Sequence, residues 1–218
     1  SDHQSLGRGR SMGRPASQIA LPLPPAREGD PASIVIGTAN AGVVEALRDP
    51  QRWPFGTAIL QGPARSGKSL LGRWFGLAGL GETIDPADAM DETALFHRWN
   101  RAQEIGTPLL LIPAAAPWEI ALPDLASRLG AALPLEIGAP DDAMMRDLIA
   151  SHAERRGLVM GEDALNYVVP RMTRSFAAAE AFVAALDRLA LERQMRPTRN
   201  LCRDALESLE GPAQARLL

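Results

Sequence analysis

The chain has 218 residues and a mass of 23.4 kDa, room for one compact domain or for one domain and a small second one. Hydrophobic residues at 46% and charged residues at 22% exclude a disordered or fibrous chain, and a net charge of −3 argues against a protein that coats nucleic acid. No run approaches the roughly 18 apolar residues that span a bilayer, no apolar signal core stands at the N-terminus, and the single cysteine, Cys202, forbids an internal disulfide, so a cytoplasmic location is expected.

Residues 1–17 are rich in Ser, Gly and Arg without apolar periodicity and read as a disordered arm, with Met12 a suitable start. Pro22, Pro24, Pro25 and Pro31 then make an extended tether. At Ser33 the composition changes. Ile34-Val35-Ile36 is a short apolar run, and a helix is expected around 43–47. Ala58-Ile59-Leu60 is a buried strand, and 69–77 is a helix with Leu70, Leu71, Trp74 and Phe75 on one side. Further strands are expected at 83–84 and 109–112, with a weaker one at 133–137. Between the first two, Asp91 caps a helix from Glu92 to about residue 104, with Leu95, Phe96 and Trp99 inward. Strands alternating with helices predict an α/β class with a parallel sheet.

After Gly138 the strands stop. Helices are expected at 141–156, closed by Gly157, and at 162–172. A third starts at the Ser175 cap with Phe176, Ala179, Val183, Leu186 and Ala190 in helical spacing, and a fourth starts at Pro197-Thr198 with Leu201, Ala205 and Leu209. The expected organisation is an arm (1–17), a docking motif and tether (18–32), an α/β nucleotide-binding base (33–139), a helical lid (140–211) and a tail (212–218).

Gly62-Pro63-Ala64-Arg65-Ser66-Gly67-Lys68-Ser69 matches G-x-x-x-x-G-K-[ST] without departure, after a strand and before a helix that continues with Leu70. The glycines let backbone N–H groups turn around phosphate oxygens, and the helix N-terminus adds its positive end. Of the 23 basic residues only Lys68 is a lysine, which marks a position where a compact ammonium is needed rather than a guanidinium. Ser69 can ligate Mg²⁺, and Asp85, at the end of a neighbouring strand, is the candidate second ligand. The residue after Asp85 is Pro86, which accepts no proton; Asp88 and Asp91 suit turn and helix caps. Binding of a nucleotide is better supported than its hydrolysis.

Several stretches together resemble the DnaA-related AAA+ family, on the side of its Hda-type regulators, over residues 18 to about 210. Ile34-Val35-Ile36-Gly37-Thr38-Ala39-Asn40 is similar to the family segment that packs near the adenine, which implies Asn40 at the nucleotide. Leu122-Pro123-Asp124-Leu125-Ala126-Ser127-Arg128-Leu129 is similar to the segment called box VII, which implies that Arg128 is an arginine finger acting in trans. Gln18-Ile19-Ala20-Leu21-Pro22-Leu23 resembles the peptide by which Hda-type proteins dock on the DNA polymerase sliding clamp, with Gln18, Leu21, Pro22 and Leu23 as its contacts. The helices from residue 141 onward look like an AAA+ lid.

Departures accompany the resemblance. The polar sensor expected after Leu109-Leu110-Leu111-Ile112 is replaced by Pro113-Ala114-Ala115, and Glu180 stands where the family has its second sensor arginine, with Arg174 out of register. A strand and a helix between Lys68 and Asp85 are missing, and their loss is easiest at a sheet edge. The resemblance therefore implies a regulator that binds ADP or ATP with Mg²⁺ and has little turnover. It would engage the sliding clamp and stimulate ATP hydrolysis by DnaA, with a homodimer possible through Arg128, no membrane contact and no strong direct DNA binding. Two alternatives stand beside it. An autonomous ATPase or P-loop kinase requires the carboxylate that Pro86 does not provide. A DNA-binding initiator requires a helix-turn-helix domain, for which 218 residues leave no room after the lid. His3, His97 and His152 show no metal-ligand spacing, His97 reads as structural, and the four tryptophans read as packing residues.

Overall fold

The computed structural model describes residues 34–214, the side chains of 211–214 excepted. The arm, the tether and the docking motif with Gln18, Leu21, Pro22 and Leu23 lie outside the described residues.

Strands β1 (Thr57–Gln61), β2 (Glu82–Ile84), β3 (Leu109–Leu111) and β4 (Leu133–Glu136) form one parallel sheet in the order β2-β3-β1-β4. Parallel neighbours need long crossovers, and helices supply them. α1 (Ala41–Arg48) precedes the sheet, α2 (Lys68–Leu77) joins β1 to β2, α3 (Glu92–Ile105) joins β2 to β3, and α4 (Pro123–Gly130) joins β3 to β4. The strand leading to Asp85, expected beside the P-loop strand, lies one place further out, because β3 sits between them. All three leucines of β3 are buried, whereas Glu82 and Thr83 of β2 are partly exposed, so the more apolar strand takes the interior. β2 is thus one of the two edges of the sheet, and residues 78–81 alone connect it to α2.

Alternation along the strands sorts two apolar layers. Ala58, Leu60 and Leu110 join Leu71, Trp74 and Phe75 of α2 on one face, with Trp53 stacked on Phe75 at 5.2 Å. Leu109 and Leu111 join Leu95 and Trp99 of α3 and Leu125 and Leu129 of α4 on the other. Trp53, Trp74 and Trp99 are buried and Trp118 is half-buried, so the tryptophans pack the interior as expected. His97 is exposed beside the Phe96 ring rather than part of the core.

The helical part comprises α5 (Asp142–Arg155), α6 (Glu162–Val168), α7 (Phe176–Arg193) and α8 (Arg199–Gln214). Asp141 accepts the Met144 N–H at 2.8 Å, and Ser175 accepts the Ala178 N–H at 3.0 Å, both as helix N-caps. The helix expected over 162–172 changes to a 3-10 turn at Val169–Arg171, since Pro170 has no N–H to donate to Asn166 and its ring crowds that carbonyl. Leu201 and Ala205 of α8 are buried, but Leu209 is 40% exposed. Eight residues at 3.6 per turn carry it well off the line of Leu201.

Met144, Met145, Leu148, Phe182, Val183 and Cys202 belong to the same buried cluster as Leu60 and Ile137 of the base. Lid and base therefore share one core on the α2 side of the sheet. Among the described residues no helix is long and apolar enough to cross a membrane.

Candidate nucleotide site and the Arg128 helix

The P-loop leaves β1 at its C-terminal end, the edge of a parallel sheet where ligands bind. Two glycines are required by its path. A Cβ on Gly62 would fall 2.9 Å from Cβ of Ile137, and Gly67 has φ +90 where the chain turns into α2. Arg65 also sits in the left-handed region, at φ +63, without being glycine, a conformation costing roughly 1–2 kcal/mol. Pro63, Ala64, Arg65 and Ser69 are exposed, Leu70 is half-buried, and Ser66 is buried with its hydroxyl unpartnered. Lys68 Nζ donates to the carbonyls of Gly62 at 2.6 Å and Pro63 at 3.3 Å.

Ser69 and Asp85 come together: the Ser69 hydroxyl donates to Asp85 Oδ2 at 2.6 Å. The two expected Mg²⁺ ligands therefore adjoin although β3 lies between β1, which leads through the P-loop to Ser69 on α2, and β2, which leads to Asp85. Asp88 does something else. Its oxygens accept the N–H groups of Ala114 and Ala115, both at 2.9 Å, and these bonds hold its carboxyl below the usual range. Asp88 thus pins the loop that follows β3 at Ala114 and Ala115. Asn40 is buried and its amide is used locally: Nδ2 donates to Val35 O, and Oδ1 accepts the Gly37 N–H, each at 2.9 Å. It shapes the 35–40 loop, which the Gly138 N–H ties to the start of the lid through Ala39 O at 2.9 Å.

The lid reaches the P-loop through Glu180 of α7. Arg65 Nε donates to Glu180 Oε2 at 2.6 Å, and its terminal nitrogen donates to Oε1. The bonded guanidinium holds the Glu180 carboxyl below its ordinary range, with smaller help from His152 and Arg155. Burial lowers the pKa of the half-buried His152, and the charge of Arg155 adds to the effect. Arg174 pairs with Asp142 at 2.7 Å.

Arg128 is exposed in the last turn of α4, a helix opened by Pro123, whose fixed φ suits the first helical position. Its guanidinium carbon lies 5.3 Å from the Trp99 ring centroid, a cation–π contact. Trp99 is anchored in turn by its indole N–H, which donates to Thr57 Oγ1 at 3.0 Å. At the other end of α4, Glu92 Oε1 accepts the N–H groups of Ala121 at 2.6 Å and Leu122 at 3.2 Å. α3 thus grips α4 at its start and beneath Arg128. The fold does not bring Arg128 to its own P-loop, because α4 packs on one face of the sheet and α2 on the other.

These residues fit a nucleotide with Mg²⁺. A buried hydroxyl without a partner, a loop turned by residues of positive φ and a helix N-terminus suit bound phosphate. Among the described residues no three of His, Cys, Asp or Glu converge on a metal site. A pair such as Ser69 and Asp85 suits Mg²⁺, which binds through one or two protein oxygens, several waters and ligand phosphates.

The Arg65–Glu180 bond, the Asp88 and Glu92 anchors and the Trp99 support are absent from the sequence reading. Glu180 and Asp88 stand out there as residues without their partners, and Leu95 and Trp99 recur with Glu92 on one side of a helix.

No protein-family profile matches the chain. Solved structures do. The chain is similar to domain III of the Thermotoga maritima replication initiation protein DnaA, with 15% identity, 85% of this chain and 98% of that one covered, and a TM-score of 0.67. It is similar to the Thermotoga maritima RuvB Holliday junction branch migration motor, with 16% identity, 80% and 70% covered, and a TM-score of 0.58. AMPPCP-bound DnaA from Aquifex aeolicus gives 16% identity, 80% and 67% covered, and a TM-score of 0.55. The fold of this chain is that of DnaA domain III and of RuvB.

Proposed function

We propose that this chain is an Hda-like regulator of replication initiation. It docks on the DNA polymerase sliding clamp through residues 18–23, holds ADP or ATP with Mg²⁺ in its P-loop with little turnover, and uses Arg128 to complete the ATPase site of DnaA. The observation that carries this reading is the separation of two half-sites. The P-loop with the Ser69–Asp85 pair leads into α2, packed on one face of the sheet, and an exposed arginine, propped on Trp99, ends α4 on the other face. An arginine placed away from its own phosphate loop suits work on another subunit's nucleotide. Binding of AMPPCP by the DnaA relative supports an adenine nucleotide here. Pro86 after the metal-ligand position, with Asp88 engaged by Ala114 and Ala115, supports retention over turnover.

In this role the planar guanidinium of Arg128 stabilises charge on the phosphoryl group leaving the partner's ATP, an effect worth about 10³–10⁵ in rate. In this chain, Lys68 and the loop N–H groups bind the nucleotide's phosphates and Ser69 and Asp85 hold the metal, which neutralises phosphate charge when bound. The same two half-sites would allow a homodimer. The test is ATP hydrolysis by DnaA in the presence of clamp loaded on DNA. The parent chain accelerates it, and Arg128→Ala removes at least about a hundredfold of that acceleration while clamp capture persists. Undiminished stimulation by Arg128→Ala would refute the finger.

A further inference from the structure

Arg65 is the apex side chain of the P-loop, and its guanidinium already holds an anion. Two of its N–H groups go to the two oxygens of one carboxylate, Glu180, 115 residues away on the lid. This is the fork geometry by which a guanidinium takes a phosphate. The backbone at Arg65 is left-handed against its preference (φ +63), so the loop holds this side chain toward the lid at a cost. The rest of the loop is closed on itself as well. Lys68 Nζ points back to the Gly62 and Pro63 carbonyls, while the adjacent Ser66 hydroxyl is buried without a partner. The cations of the loop are thus satisfied internally, and the group suited to a ligand is not.

We propose that Glu180 is an internal anion that competes with the phosphates of a P-loop ligand for Arg65, so that binding a polyphosphate and releasing the lid contact are one event. This rests on the reading of the P-loop as a nucleotide site. The physical reason is charge. A di- or triphosphate seated in the loop repels the Glu180 carboxylate and offers Arg65 oxygens of the same geometry and greater charge. Glu180 thereby sets the affinity of the site without touching the ligand, and α7 carries the consequence into the lid.

The experiment titrates fluorescent MANT-ADP with Mg²⁺ into the full chain and its variants, with the melting temperature of each recorded. Glu180→Gln keeps the size and removes the charge, and binding tightens roughly three- to tenfold. Glu180→Ala does the same. In an Arg65→Ala background, adding Glu180→Gln changes nothing further, because the contested group is gone. Lys68→Ala abolishes binding throughout. If both Glu180 variants bind as weakly as the parent, or more weakly, while Lys68→Ala is inactive, the competition is wrong and the P-loop site stands. Binding that survives Lys68→Ala, or no binding by the parent and both Glu180 variants, overturns the nucleotide site and the competition together.

Discussion

Lys68 packs a compact ammonium between two carbonyls, 2.6 Å from that of Gly62 and 3.3 Å from that of Pro63. A guanidinium is planar and about twice as broad, so it cannot turn between those carbonyls and a phosphate. Lys68→Arg is expected to weaken MANT-nucleotide binding at least about tenfold, some 1.4 kcal/mol. Its unfolding free energy should stay within about 0.5 kcal/mol of the parent, since the position is not a core one. Such selectivity at one residue was legible in the sequence, because a chain with 23 basic residues holds its only lysine at the one place where the motif requires it. The partner of Arg65 was not legible. Glu180 is noticeable by being an acid at an expected sensor position, but nothing local says that it meets the P-loop across 115 residues.

Helix ends were read well wherever the cap is a side chain bonding three residues ahead. Asp91 and Ser175 each accept the N–H expected of them, whereas Asp141, expected as the first helical residue, caps the helix that begins at Asp142. Removing such a cap leaves an N–H unpaired, so Ser175→Ala should cost about 1 kcal/mol and lower the melting temperature by about 2–4 °C. Because Phe176, Phe182 and Val183 lie in the core shared with the base, one transition is expected to shift in the thermal scan, without a separate early one for the lid. Helix α4 escaped the sequence reading although Leu125 and Leu129, four apart and both buried, carry its period. Eight residues are too few for periodicity to stand out without its Pro123 start.

For the whole molecule, acid is the informative stress. His152 titrates below its ordinary value of 6.5 because burial and Arg155 disfavour its charge. The unfolded chain therefore takes up a proton that the folded chain resists. The stabilisation is complete above about pH 6.5 and is lost as the pH falls through the folded value. The carboxyls of Glu180 and Asp88 are lowered in the same sense by Arg65 and by the Ala114 and Ala115 N–H groups, and their contributions disappear at more acidic pH. The urea midpoint should fall between pH 7 and 5, and His152→Gln should flatten that part of the curve. A midpoint constant over this range in the parent would show that His152 takes up its proton as readily in the folded chain as in the unfolded one.

Sequence by itself determined the strands, every helix but α4, and the phosphate-loop motif. Each depends on neighbours within a few residues: the apolar alternation of a strand, a cap and its N–H, or glycines spaced around a lysine. Only the tertiary structure decided which strand lies beside the P-loop, that Ser69 and Asp85 adjoin across an intervening strand, that Trp99 supports Arg128, and that Glu180 takes Arg65. Those pairings are set by how apolar faces are buried against one another. The side chains brought together as a result carry no mark of it in their own neighbourhoods.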